Sequence, residues 1–260
     1  MMKTLISFDV DMTLLDHATY KIPDSAIEAI EALRKNHFIV LATGRDMDTY
    51  YSRQYRDQIQ ADAIIHSNGT KITVGDQVLY ESVLPRELLE RVLHFADEHD
   101  LAIGMTSGDD DYYIHPEHVT EHDIRRWGES GRQYKDPWKL LDMKVRTLAY
   151  MGVPEGAKLL EQEFPELKCP LFAGLEGADV IAKESSKANG LKILCEYFHI
   201  PVSETYAFGD SMNDLEILQE AGTGIAMGNA VPKLKEVADY VTDRIDENGI
   251  YNACKHFRLI

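Results

Sequence analysis

The chain has 260 residues with 44% hydrophobic and 27% charged content, which excludes a disordered or fibrous protein and allows one large domain or a core carrying an inserted one. Its 44 acidic and 27 basic side chains give a formal net charge of −17, a field that repels nucleic acid and anionic membranes and argues against either as a main partner. The same field repels phosphorylated molecules, so a phosphate site in this chain needs positive charge concentrated by a metal, a lysine or helix N-termini.

In chain order, Thr4 to Phe8 reads as a short buried strand, and Pro23-Asp24-Ser25 opens an amphipathic helix with apolar Ile27, Ile30 and Leu33. Phe38 to Ala42 is the next strand, a helical stretch follows Arg45, and Ala63 to Ile65 is a third apolar run ending at Ser67-Asn68-Gly69. Strands alternating with helices predict a parallel sheet. The rhythm then changes. Lys71 to Val74 and Val78 to Glu81 flank Gly75-Asp76 as a hairpin, and a helix is expected from about Arg86 to His99. Extended runs follow at Leu101 to Thr106, Tyr112 to His115 and Lys144 to Met151, then a helix at Pro154 to Phe164 and strands at Lys168 to Phe172 and Ala178 to Ala182. After Ser185 the alternation returns: a helix to about Phe198, a strand at Thr205 to Phe208, a helix after Ser211 and a strand near Gly224 to Met227.

The expected fold class is therefore α/β, a Rossmann-like parallel-sheet core formed by residues 1–82 and 186–260, interrupted by an α+β segment at 83–185. Gly108-Asp109-Asp110-Asp111 reads as a solvated loop, and Trp127, Trp138 and Tyr112-Tyr113 as core of the inserted segment. His115, His118 and His122 have spacings that raise a zinc question, although Pro116 and nearby acids favour a polar surface. Cys169, Cys195 and Cys254 match no zinc spacing or disulfide framework. With no signal-peptide pattern and no stretch long enough to cross a membrane, the expectation is a cytoplasmic protein.

Chemistry concentrates where strands end, the edge at which open α/β sheets bind ligands. Asp9-Val10-Asp11-Met12-Thr13 follows the first strand. Two carboxylates two residues apart can divide the work of nucleophile and proton donor, provided that a cation holds them together; the bland reading is a polar turn. Asp210, in Gly209-Asp210-Ser211-Met212-Asn213-Asp214, could supply a third carboxylate of an oxygen-rich Mg²⁺ site, or simply cap the next helix. Thr43 and Gly44, in Leu41-Ala42-Thr43-Gly44-Arg45, offer a hydroxyl and a backbone N–H to phosphate oxygens. Lys187 could bring the positive charge that the acidic surface makes necessary.

Taken together, Asp9-x-Asp11-x-Thr13, Thr43-Gly44-Arg45, Lys187 and Gly209-Asp210-Ser211-x-Asn213-Asp214, with Ser67-Asn68-Gly69 and Gly228-Asn229-Ala230 as secondary matches, resemble the motifs of the haloacid dehalogenase-like hydrolase superfamily in order. Within it the chain is similar to Cof-type phosphatases, which carry a large type IIB cap after the third core strand. The resemblance spans nearly the whole chain and implies a Mg²⁺-dependent phosphatase acting on small phosphorylated metabolites, sugar phosphates or phosphorylated cofactors. It implies Asp9 as nucleophile and Asp11 as proton donor and then base. Mg²⁺ would be held by Asp9, the Asp11 carbonyl and Asp210. Thr43, Gly44, Lys187, Asn213 and the Val10 and Asp11 N–H groups would bind the phosphoryl oxygens, supported by Asp214, Arg45 and Asn68, with substrate choice in the cap. The family usually has Gly where this chain has Met12. Competing readings are a sugar phosphomutase and a non-catalytic Mg²⁺ and phospholigand-binding module. A cap of about a hundred residues and a second aspartate are superfluous in a mere receiver.

Overall fold

Five residues, Thr4–Phe8, form β1 of the computed structural model, buried from Leu5 onward as an apolar run without alternation must be in a parallel sheet. The structure describes residues 3–172 and 174–260. Next come α1 (Asp24–Leu33), which buries Ala26, Ala29, Ile30 and Leu33 on one stripe, β2 (His37–Ala42), α2 (Tyr50–Ile59) and β3 (Ala63–His66). The hairpin of β4 (Lys71–Val74) and β5 (Gln77–Glu81) turns at Gly75, whose φ of 53° suits glycine.

The middle of the chain holds α3 (Arg86–Glu98), β6 (Ala102–Ser107), β7 (Asp110–Ile114), α4 (Pro116–Trp127), β8 (Tyr134–Lys135), β9 (Leu148–Met151), α5 (Pro154–Glu163), β10 (Leu167–Lys168) and β11 (Gly177–Ala182). The chain then returns to α6 (Lys187–Phe198), β12 (Thr205–Gly209), α7 (Leu215–Glu220), β13 (Thr223–Ala226), α8 (Pro232–Val237), β14 (Tyr240–Val241) and α9 (Gly249–His256). Two units result, Met1–Tyr80 with Ser185–Ile260, and Glu81–Glu184.

Among the described residues the first unit's sheet runs β14-β13-β12-β1-β2-β3-β4-β5, parallel from β14 to β3. Register fixes the site. Phe8 pairs with Leu41 on one side and with Phe208 on the other, and the Phe8 and Phe208 rings stack at 4.8 Å. The strand ends are thus level, so the loops beginning at Asp9, Thr43 and Asp210 emerge side by side at one edge. Pairing continues a residue into two of those loops: Asp9 N–H donates to the Phe208 carbonyl and Thr43 N–H to the Ile65 carbonyl, each at 3.0 Å.

In the second unit the order is β10-β11-β9-β6-β7-β8, antiparallel except for β7 with β8. Ile103, Ile114, Leu148 and Val180 meet Val92 and Leu93 of α3 and Leu160 of α5 in one apolar cluster, whereas Ala102 and Tyr113 meet Val119 of α4 in another. Successive strand residues face opposite ways, so α4 covers the face that α3 and α5 leave.

Several sequence expectations need correction here. Asp110 and Asp111 belong to β7 rather than to a solvated loop, and Asp111 is buried because Arg132 and Thr106 reach it. Trp127 ends α4 with 61% of its surface exposed, so it is not core, while Trp138 does pack against the larger cluster. The strand expected at Lys144 begins only at Leu148, since Lys144 and Arg146 turn to Glu81. The one expected at Lys168 to Phe172 stops at Lys168 before Pro170, leaving a single bridge at Leu171.

Candidate active site

The loop after β1 folds back on itself. Leu14 and Leu15 N–H groups donate to the Val10 carbonyl at 2.9 and 2.7 Å, and Met12 N–H donates to the Leu15 carbonyl at 2.8 Å. This places Met12 at φ 59°, the left-handed region that glycine enters freely and a side chain enters at about 1–2 kcal/mol. Asn229 holds it there, donating from Nδ2 to the Met12 carbonyl at 2.8 Å while its Oδ1 accepts from Ile245 N–H. Met12 is thus tolerated as a strained residue in a fixed loop.

Lys187, the first residue of α6, is 1% exposed. Its Nζ donates to Asp9 Oδ1 at 2.7 Å and to Asp214 Oδ1 at 2.6 Å. Burial alone would lower its pKa, but the charges of Asp214 and Asp9 outweigh this and push it up, so it stays cationic. The second oxygen of Asp214 accepts from Asp210 and Ser211 N–H groups at 3.0 and 3.1 Å, and Ser211 completes a capping box with it. Gly209 is required at this turn because a Cβ would lie 2.5 Å from the Asp214 side chain.

Asp9, Asp210 and Asp214 are buried, and one oxygen from each lies within 4.8 Å of the others. Thr13 Oγ1 donates to Asp210 Oδ1 at 3.3 Å. Burial pushes the Asp9 carboxyl up against the pull of Lys187, and burial with the charges of Asp9 and Asp214 pushes Asp210 up further. Three buried carboxylates face one lysine, and an all-oxygen, net negative donor set of this kind fits a hard divalent cation such as Mg²⁺.

The other predicted residues fall around this centre. Asp11 does not share the Lys187 network: its carboxylate accepts from Arg45 Nε and Nη2 at 2.7 and 2.5 Å and pairs with His17 Nε2 at 2.7 Å. Burial would raise its pKa, but Arg45 and then His17 hold it below the usual carboxylate range. Thr43 is buried and its Oγ1 accepts from Arg45 N–H at 3.0 Å; Gly44 is half-buried, and Val10 is buried. Asn213 donates to Asn68 Oδ1 at 3.0 Å and accepts from Ser211 Oγ at 2.7 Å. Sequence reasoning missed His17 and the clamp of Asn229 on Met12. Nothing in the spacing of His17 could have found it, whereas Gly228-Asn229-Ala230 carried a signal without a role.

Carboxylates at the ends of parallel strands, joined by the buried lysine that opens α6, suit a phosphoryl-transfer hydrolase built on a Rossmann-like sheet. The family model for haloacid dehalogenase-like hydrolases matches residues 6–254, and the chain belongs to that family. It is 32% identical over 259 residues to YkrA of Bacillus subtilis, covering 98% of each chain, and 29% identical over 259 residues to the 5-amino-6-(5-phospho-D-ribitylamino)uracil phosphatase YcsE of the same organism, covering 98% of this chain and 96% of that one. Among solved structures it is similar to BT1666, a phosphatase of Bacteroides thetaiotaomicron (TM-score 0.90, 30% identity, 100% of this chain and 96% of that one). It is also similar to the subclass IIB sugar phosphatase BT4131 (TM-score 0.84, 30% identity, 99% and 100%). The chain is an enzyme, a Cof-type phosphatase of this superfamily.

Proposed function

We propose that the enzyme hydrolyses phosphomonoesters of small metabolites through a phospho-aspartate on Asp9, with Mg²⁺ as cofactor. The observation that carries this reading is the excess of carboxylate over lysine at the level strand ends: Asp9, Asp210 and Asp214 around Lys187. Asp9, Asp210 and the Asp11 carbonyl would hold the cation, with Asp214 behind them; when bound it neutralises phosphoryl charge and aligns the ester.

Asp9, kept oriented by Lys187, attacks phosphorus as the bond to the leaving oxygen breaks. Asp11 gives that oxygen a proton, then takes one from the water whose oxygen attacks phosphorus and releases Asp9. Because Arg45 and His17 favour ionised Asp11, proton donation requires Asp11 to part from Arg45 when substrate arrives. Thr43, Gly44, Asn213 and the Val10 and Asp11 N–H groups are suited to the phosphoryl oxygens, with Asn68 orienting Asn213. The residues near 83–185 act as the specificity cap, since the core groups can recognise only the phosphoryl group common to all substrates. YcsE is named for a phosphoribitylamino-uracil and BT4131 for sugars, which supports small phosphorylated metabolites as the substrate class. Cys169, Cys195 and Cys254 are buried and unpaired, which suits a cytoplasmic location.

Turnover of an aryl phosphate with added Mg²⁺, lost in EDTA and in Asp210→Ala, tests the metal; full activity in EDTA would overturn it. Borohydride reduction during turnover followed by mass spectrometry locates the phosphoryl group, and a label anywhere but Asp9 defeats the covalent reading. Release of inorganic phosphate from a sugar phosphate without isomerised product separates hydrolysis from a mutase.

A further inference from the structure

The second unit contains a group of metal-ligating side chains that the phosphatase reading does not use. Asp100 precedes β6, His115 and Glu117 lie at the start of α4, and His118 sits one residue further along it. One donor atom from each lies within 4.8 Å of the others. The sequence grouped His115, His118 and His122. The fold keeps the first two, replaces the third by two carboxylates, and buries His122 where a polar surface was expected.

The hydrogen bonds give the group a direction. His115 Nε2 lies 3.2 Å from the Asp97 carbonyl, which can only accept, so that nitrogen carries a proton. A metal-bound histidine is anchored in the same way, its distal N–H held by a backbone carbonyl and its other nitrogen free to ligate. That other nitrogen, Nδ1, faces Glu117 Oε1 at 3.1 Å and Asp100 Oδ1 at 3.5 Å. Facing two carboxylate oxygens, that nitrogen holds a positive partner, either a proton that makes the ring an imidazolium or a metal ion that takes the proton's place. Asp100 Oδ1 also meets His118 Nε2 at 2.8 Å, so one oxygen links both rings. Two imidazole nitrogens and two carboxylate oxygens in this space are a Zn²⁺-type donor set. Ligands about 2.0 Å from a tetrahedral Zn²⁺ stand about 3.3 Å apart, and His115 to Glu117, His115 to Asp100 and His118 to Asp100 are 3.1, 3.5 and 2.8 Å apart.

A second observation points to the same place. Asp100 and His118 line a cavity of about 560 Å³ whose wall also holds Glu121, Glu176 and His122. His122 is 6% exposed, yet neither of its ring nitrogens has a hydrogen-bond partner. Asp123 and Glu176 approach them at 3.5 and 3.4 Å without forming one. A buried imidazole with two unmet polar atoms is costly unless something else in the cavity serves them. His122 lies one helical turn from His118 on α4.

We propose that Asp100, His115, Glu117 and His118 form a second divalent-cation site, of the Zn²⁺ class and separate from the carboxylate centre of the first unit, opening onto the cavity that His122 lines. The site is independent of the substrate assignment. Its test uses the whole chain and Co²⁺ as a visible probe. Wild type should bind one equivalent with the intense visible bands of four-coordinate cobalt, and Zn²⁺ should bleach them. His115→Ala and His118→Ala should each abolish the bands and weaken Zn²⁺ binding by more than about 100-fold, beyond the loss expected from an outer partner. Asp210→Ala should leave them in place. With the carboxylate centre saturated by Mg²⁺, Zn²⁺ should raise the melting temperature of wild type more than that of the histidine variants. Where an alanine variant fails to fold, His118→Gln provides the same reading at nearly constant shape. Only weak octahedral bands in wild type, bands that survive both histidine changes, or bands lost in Asp210→Ala would overturn the site.

Discussion

Two buried charge clusters, one in each unit, each hold more carboxylates than cations and differ in the size of that excess and in how their oxygens are met. In the second unit Arg132 is shared by Asp111 Oδ1 and Asp123 Oδ2 at 3.1 and 2.7 Å, Thr106 and Ser130 donate to those same two oxygens, and the Gln133 N–H donates to Asp111 Oδ2. In the first unit Lys187 faces Asp9 and Asp214 with Asp210 beside them, and three carboxylates share one cation. A cluster whose polar atoms are met within the protein holds a fold in register, whereas one with three carboxylates around a single cation is suited to being completed by something that binds. The contrast separates a cluster that serves packing from one whose charge suits it to hold a cation.

The sharpest way to break the comparison is at Asp9. Asp9→Asn should lower turnover by about 10⁴-fold or more, while Asp11→Asn keeps the nucleophile and should impair alkyl phosphates far more than aryl phosphates. Burst kinetics should then show phospho-enzyme accumulating in Asp11→Asn; undiminished steady-state turnover of alkyl phosphates would reverse the assignment.

Removing Lys187 tests whether the excess charge is real. Lys187→Met leaves Asp9 and Asp214 buried without their cation and should cost about 3–5 kcal/mol. Denaturant titrations should show Mg²⁺ restoring part of that loss. An equal loss with and without Mg²⁺ would mean that the carboxylates do not form the metal site.

The satisfied cluster should respond differently. Arg132→Met should destabilise the second unit by about 3 kcal/mol, read through Trp127 and Trp138, both of which lie in that unit, and no divalent cation added at the core should rescue it. Acid is a gentler probe. Burial pushes the Asp123 carboxyl up, but Arg132 outweighs burial and holds it below the ordinary carboxylate value. Its contribution to stability is therefore complete above about pH 4 and lost as pH falls through the folded-state value. Asp123→Asn should flatten that part of the acid-unfolding curve, and an unchanged curve would show that the network is not what acid attacks.

The smallest effect is expected at Met12. Met12→Gly relieves a left-handed side chain but frees the unfolded chain, so a net gain of only about 0.5–1 kcal/mol is expected. Thermal unfolding should show a rise of a few degrees with aryl-phosphate turnover retained. A loss of stability would show that Asn229 and the loop already absorb the strain.

Much of the site was legible in order along the chain. Parallel strands fold from continuous apolar runs such as Thr4–Phe8, and residues that follow such runs must emerge at one sheet edge, so Asp9, Thr43 and Asp210 could be grouped before any coordinates. Lys187 and Asp214 belonged to the same motifs. The meeting of Asp9 and Asp214 at the Lys187 ammonium group depends on where α6 packs, which no local spacing specifies. His17 reaching Asp11 and Asn229 fixing Met12 are likewise products of loop closure.

The second unit was less legible because its short antiparallel strands depend on partners distant in sequence. Asp111 looked like a loop residue until Arg132, 21 positions away, was folded against it, and His122 looked exposed until α4 laid it against the sheet. By itself, then, the sequence determined the class of fold, the interruption of the core and the residue types at its strand ends, because these follow from hydrophobic period and local order. Only the tertiary structure decided which charges are paired, which are left in excess and where His115 and His118 meet Asp100, because charge balance in a buried site is set by neighbours brought together from remote parts of the chain.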